Sequence, residues 1–334
     1  MLRRLVATVL VGAAALAGCS ATDEPTDELM LTDSPVAATP AVSPPPAATP
    51  AGTVVRLAGS PTALAIDPRA GLLAVAVAEP AAVLLYRLDD LSATPRTVPL
   101  PGAAEDLRPA GDGGPLLVAA GGALVRITLP AGTATTTTMA GAPVSAAQAD
   151  GDTLVALREG REVAVVGEDA VRRVISGGMF SADRVLATGD DAVVLDRLRN
   201  AVFRLDVPAG AIREGLRAGE GSTNAVTDRF GRVLVVDTRG EALLAFSADP
   251  LLLRQRYPVA GAPFGIAYDP ARDLAWVTLT AKNEVVGYQV AGEEPRERYR
   301  FPTVGQPNSV TVDPGSGRVF VASATGEGIQ VIAP

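Results

Sequence analysis

The chain has 334 residues, 29 of them basic and 37 acidic, with one cysteine and no histidine. That composition excludes Ser-His-Asp and Cys-His nucleophile systems, His-ligated zinc, histidine general bases and internal disulfides. With 48% hydrophobic residues, only 4% aromatics, 34 glycines and 27 prolines, it suits many short strands joined by tight turns.

The N-terminus, MLRRLVATVLVGAAALAGCS, has two arginines, an apolar run from Leu5 to Leu16 and then small residues up to Cys19. This pattern predicts an export signal over residues 1–18, with an apolar run too short to stay as a membrane-spanning helix. Leu16-Ala17-Gly18-Cys19 resembles the lipobox of bacterial lipoproteins. The resemblance implies lipidation of Cys19, hence a palmitate-type anchor and a place on the extracytoplasmic face of the cell membrane. The other reading is an ordinary secretory signal with a chance cysteine. Residues 19–52 carry seven prolines and five carboxylates with almost no large apolar side chains. They read as a disordered Pro/Ala/Thr-rich tether, which fully extended would span about 100 Å. Without the signal and the tether, residues 53–334 have 27 basic and 32 acidic side chains, a net charge of −5. The absence of a basic stripe argues against a nucleic-acid partner.

Three phrases then recur: PTALAIDP from Pro61, PFGIAYDP from Pro263 and PNSVTVDP from Pro307. Aligned on a preceding glycine, the register runs through Gly59, Gly102, Gly141, Gly177, Gly219, Gly261 and Gly305, at intervals of 36 to 44 residues. A period near 40 with four short strands per unit predicts an all-β, seven-bladed β-propeller over residues 53–334. Each Asp-Pro is expected to start the first hairpin, Asp accepting backbone N–H bonds and Pro presetting φ, with Gly71 and Gly317 left-handed where the hairpin closes. The first six units each contain a fourth, outer strand, but the seventh stops at GIQVIAP after three. Thr53–Gly59 is therefore expected to supply the missing strand and close the ring.

The units from Gly305 and Gly261 look like the repeats of YVTN-type and NHL-type propellers, and GRVLVVDTRGEALLAF resembles the NHL core strand pair. Trp276-Val277-Thr278-Leu279 departs from the family tetrad at Leu279, and the units between Gly102 and Gly219 match poorly. The resemblance implies a scaffold or binding module more often than an enzyme, because fold does not dictate chemistry.

Candidate ligand-binding groups are those expected where blades begin or at second-hairpin tips. Glu105, Asp106, Asn224, Asn308, Phe180 and Phe264 belong to the first set. Arg197, Arg199, Arg239 and Lys282, the one lysine, belong to the second, with Arg158 and Arg161 beside them. Acidic neighbours such as Asp196, Glu241 and Glu284 could neutralise these bases. Asp150, Asp152, Asp190 and Asp191 read as turn formers. No cofactor or metal is expected. The leading expectation is a non-catalytic lipoprotein that binds a protein or cell-envelope component. The alternative is a lactonase-like or other hydrolase holding an oxygen-ligated metal in the propeller mouth.

Overall fold

The computed structural model describes Leu29 and residues 32–57, 59–111, 113–168, 170–189, 191–292 and 294–334. Residues 1–18, Cys19 and Asp190 lie outside the described residues. Seven antiparallel sheets of four strands each form the blades of a β-propeller, and no helix occurs among the described residues. The innermost strands, in blade order, are Pro61–Asp67, Ala104–Pro109, Pro143–Ala149, Arg184–Thr188, Ser222–Thr227, Pro263–Asp269 and Pro307–Val312. The units between Gly102 and Gly219, weakest in sequence, are complete four-stranded blades.

The middle strands are apolar on both faces because each blade is packed between two others. Leu274–Leu279, for example, is buried at every position. The hydrophobic core is accordingly divided among the seams between neighbouring blades. One cluster joins blades 1 and 2 through Val83, Leu85, Leu116 and Ile127. Another joins blades 3 and 4 through Leu154, Ile175, Val185 and Phe203. The seam that closes the circle packs Phe320, Ala322 and Ile329 of blade 7 against Leu64, Ile66, Leu73 and Val75 of blade 1.

Closure is also made by hydrogen bonds. Thr53–Val55 pairs antiparallel with Ile329–Ile332, in the register Thr53↔Val331 and Val55↔Ile329, so the N-terminal segment supplies the outer strand of the last blade. Gln330, fully buried, ties three parts of this junction together. Its Oε1 accepts from the Val304 N–H at 3.0 Å, while Nε2 donates to the carbonyls of Ala51 and Pro302 at 2.7 and 2.9 Å.

The Asp-Pro turns form as their chemistry requires. Asp67 Oδ1 accepts from the Ala70 N–H at 2.8 Å, Asp269 Oδ1 from Ala271 at 2.9 Å and Asp313 Oδ1 from Gly315 at 3.1 Å. Gly71 and Gly317 take φ values of 64° and 79°, left-handed conformations open to glycine because it has no Cβ.

The structure differs from the sequence reading over the described part of residues 19–52. Composition places this stretch apart from the domain, yet Val36 to Ser43 runs as a strap across the face on which the blades begin, the mouth face. The Arg239 guanidinium donates to the Val36 carbonyl and that of Arg197 to the Ala38 carbonyl. Further along, the Ala41 N–H donates to Thr280 Oγ1 at 3.2 Å, and Ser43 exchanges hydrogen bonds with Thr280 and Gln306. Asn283 Nδ2 then donates to the Pro44 carbonyl at 2.8 Å. Small residues and prolines make poor cores, but their unpaired carbonyls are good acceptors, and the hairpin tips supply donors for them.

Candidate functional site

A β-bulge shapes the mouth. In six blades the innermost strand shifts register within its first residues, for example between Pro61 and Ala63, Pro143 and Ser145, Ser222 and Asn224, and Pro307 and Ser309. A bulge inserts one unpaired residue and re-aims the side chains around it. The residue two positions after the start of the bulge is Ala63, Asp106, Ser145, Asn224, Gly265 and Ser309 in the six bulged blades, and Arg184 holds the corresponding place in blade 4, which has no bulge. These seven form a ring around the axis. One step nearer the mouth is a second ring that includes Thr62, Glu105, Asp183, Phe264 and Asn308. Apart from the fully buried Ser145, the residues of both rings line a central cavity of about 910 Å³.

Asp106 organises the inner ring. Its Oδ1 accepts from Arg184 Nη1 at 2.6 Å, and its Oδ2 from Ser145 Oγ at 2.8 Å and Arg108 Nε at 3.1 Å. Arg184 also donates to Asn224 Oδ1 at 2.8 Å, and Asn224 Nδ2 donates to the Phe264 carbonyl at 2.9 Å. Arg108 spans the channel to the Ala225 carbonyl on blade 5, at 3.1 Å. The channel is thus braced from blade 2 through blade 6 by side chains from its own wall.

Above this waist, Arg158 grips Glu105 with two bonds of 2.8 and 2.6 Å and Asp183 with a third of 2.7 Å. The bond to Glu105 is the main reason that the Arg158 guanidinium is held more firmly protonated and that the Glu105 carboxyl lies below its ordinary range. Burial works against ionisation of Asp106, but Arg108 and Arg184 more than offset it and keep the carboxyl below its usual value. Burial lowers Arg184 and Arg197 from the ordinary guanidinium value. Among the described residues Arg197 makes no ion pair. Its backbone N–H donates to Asp183 Oδ2 at 2.9 Å, one guanidinium nitrogen donates to the Ala38 carbonyl of the strap, and its buried Nε has no partner.

Of the candidate residues, Glu105, Asp106, Asn224, Asn308, Phe264 and Arg197 come together around the cavity, and Arg199, Arg239, Lys282 and Phe180 do not. Arg199 is buried inside blade 4. Its guanidinium lies 4.7 Å from the Phe180 ring centroid and donates to the Gly178 carbonyl, so the two residues fasten a loop together. Arg239 lies outside the cavity, holding the strap. Lys282 is exposed beside Gly261, and Glu284 pairs with Arg300 instead. Asp196 is fully buried, where its carboxylate accepts from the Phe180 and Arg199 N–H groups at 2.6 and 2.9 Å.

Sequence reasoning missed Arg108, Asp183 and Arg184. The signal was present: Arg184 is the third residue of ADR, which aligns with AED, PVS, STN and PNS. The donors proposed for an oxygen-ligated metal are turned to other uses, since both Asp106 oxygens face guanidiniums and Glu105 is gripped by Arg158. Among the described residues no three Asp, Glu, Cys or His side chains gather as a metal cluster would require.

No protein-family model and no curated protein sequence matches the chain. Solved structures do match in fold. Hydrazine synthase of Kuenenia stuttgartiensis superposes with a TM-score of 0.70 at 14% identity, covering 85% of this chain and 98% of that one. Virginiamycin B lyase from Staphylococcus aureus gives 0.68 at 15% identity, covering 82% and 94%. The β-propeller domain of Myceliophteria thermophila Cps50 (Swd1) gives 0.71 at 13% identity, covering 84% and 99%. At such identities the likeness is one of fold, shared by enzymes and by proteins without a lyase name alike.

Proposed function

We propose that this protein is a lipid-anchored propeller of the extracytoplasmic membrane face, akin to YVTN- and NHL-type repeats, that binds a protein or cell-envelope component without transforming it. The lipobox-like Leu16–Cys19 supports the anchor, and the repeated phrases from Pro263 and Pro307 support the lineage. The observation that carries the non-catalytic reading is the state of Asp106. It is a buried carboxylate of the inner ring, bracketed by Arg108, Arg184 and Ser145, which leaves it neither a free base nor a cation ligand.

The test is affinity capture by the full chain from detergent-solubilised membranes, set against a Glu105→Arg variant that reverses charge at the mouth. A component retained by the wild type, lost in the variant and indifferent to EDTA supports the reading. Chemical conversion of the captured component, or a metal-dependent reaction of the purified chain, overturns it.

A further inference from the structure

The central cavity is divided chemically. Apart from Asp228 and Arg229 of blade 5, which pair with Arg232 and Asp273, its charged side chains come from blades 2 to 4: the guanidiniums of Arg108, Arg158, Arg184 and Arg197 and the carboxylates of Glu105, Asp106 and Asp183. Four cations therefore face three anions, and the unmatched one is Arg197. The opposite wall carries Leu64, Ile66, Phe264, Ile266 and Val310, with Pro40 of the strap closing part of the opening. A volume of about 910 Å³ is at the upper end of what small organic ligands occupy.

Arg197 is the second observation. A desolvated guanidinium is costly unless its donors are met by negative charge. Among the described residues one nitrogen meets only the neutral carbonyl of Ala38, and Nε meets no acceptor. Neighbouring Asp183 and Glu105 are already taken up by Arg158. A carboxylate beside Arg197 could replace the neutral acceptor with a charged one, and charge-assisted bonds of this kind are roughly twice as strong as neutral ones. Displacing the strap would also uncover Ala38, which is buried against Gly221, so a ligand must offset that packing as well as the carbonyl contact.

From this we propose that the cavity binds a small amphipathic monoanion, with its carboxylate on Arg197 in place of the Ala38 carbonyl and its apolar body against the wall formed by blades 1, 6 and 7. This inference rests on the non-catalytic reading above and names the kind of small ligand held at that site.

Three eight-carbon probes of different charge test it by calorimetric titration of the full chain: octanoate, octan-1-ol and octylamine. Octanoate is expected to bind at least tenfold more tightly than either of the others and to be recovered unchanged. Arg197→Met keeps the apolar stem and the backbone bond to Asp183 and is expected to weaken octanoate about tenfold, leaving octan-1-ol unaffected. Arg197→Lys is expected to retain part of the affinity. Ser43→Ala with Gln306→Ala loosens the strap at a distance from Arg197 and is expected to strengthen octanoate severalfold.

Equal affinity for octanoate and octan-1-ol overturns the inference. So does an Arg197→Met variant that binds octanoate as well as the wild type. If that variant does not fold, as judged by the fluorescence of Trp276, the only tryptophan, the loosened-strap variant decides, and unchanged octanoate affinity overturns the inference. Octanoate bound but chemically converted would sink the non-catalytic reading and leave the site standing. No octanoate binding, with an envelope component still captured, would do the reverse.

Discussion

The guanidinium of Arg184 on blade 4 donates to the carboxylate of Asp106 on blade 2 across 2.6 Å, bypassing blade 3 except for the Ser145 hydroxyl that shares the same carboxylate. No hairpin relates these two residues, which are 78 positions apart. Their contact depends on the ring being assembled.

Asp106→Asn should therefore be among the most damaging single changes at the centre, because it leaves Arg108 and Arg184 facing each other without compensation. The expected loss is about 3–5 kcal/mol, measured by denaturant unfolding followed through Trp276. Adding Arg184→Met to the same chain should restore part of it, since coupled residues are not additive.

Acid should expose the outer pair. Glu105 lies below its ordinary value of 4.5, chiefly through its bonds to Arg158. A carboxyl lowered on folding contributes stability that is complete above its unfolded value and is lost as pH falls through the folded one. Melting of wild type and Glu105→Gln should thus differ at pH 7 and converge as pH drops below about 4. A gap that widens in acid would contradict this assignment.

Ring closure can be probed without cutting the chain. Gln330→Leu preserves volume but strands the Val304 N–H and the Ala51 carbonyl. The expected cost is about 2–4 kcal/mol, seen as a fall in Tm of several degrees. Deleting residues 53–58 should be worse, exposing a sheet edge and promoting aggregation.

Anchoring has a single-residue test. The chain has only one cysteine, so Cys19→Ala should abolish incorporation of labelled fatty acid and release the protein from membranes. Stable attachment needs more than one acyl chain or a second membrane signal.

The architecture was legible because a propeller repeats its demands. Each blade needs a tight first hairpin and middle strands apolar on both faces, and in blades 1, 6 and 7 Asp67, Asp269 and Asp313 mark that hairpin plainly. The missing seventh outer strand could be counted. The site was harder to read because a bulge makes the ring position the third residue of each phrase. Asn224 and Asn308, which look equivalent in sequence, belong to different rings. Arg199 illustrates a second limit. It stands two residues from Arg197 in the same hairpin, yet one is buried between phenylalanines and the other lines the cavity. Only the packing of blade 4 separates them. The strap was hidden for another reason, since backbone carbonyls leave no trace in composition.

Leu29 packs beside Phe203 and Gly215 on the flank of blade 4. Ten residues separate it from Cys19, and ten residues of chain reach at most about 35 Å, a third of the stalk that composition alone suggests. On the lipid anchor proposed at Cys19, that flank would be held on a short leash, within about 35 Å of the bilayer. The propeller would pivot about its own side rather than swing on a long stalk, so partners of the mouth would best be sought among molecules resident in or released from that membrane.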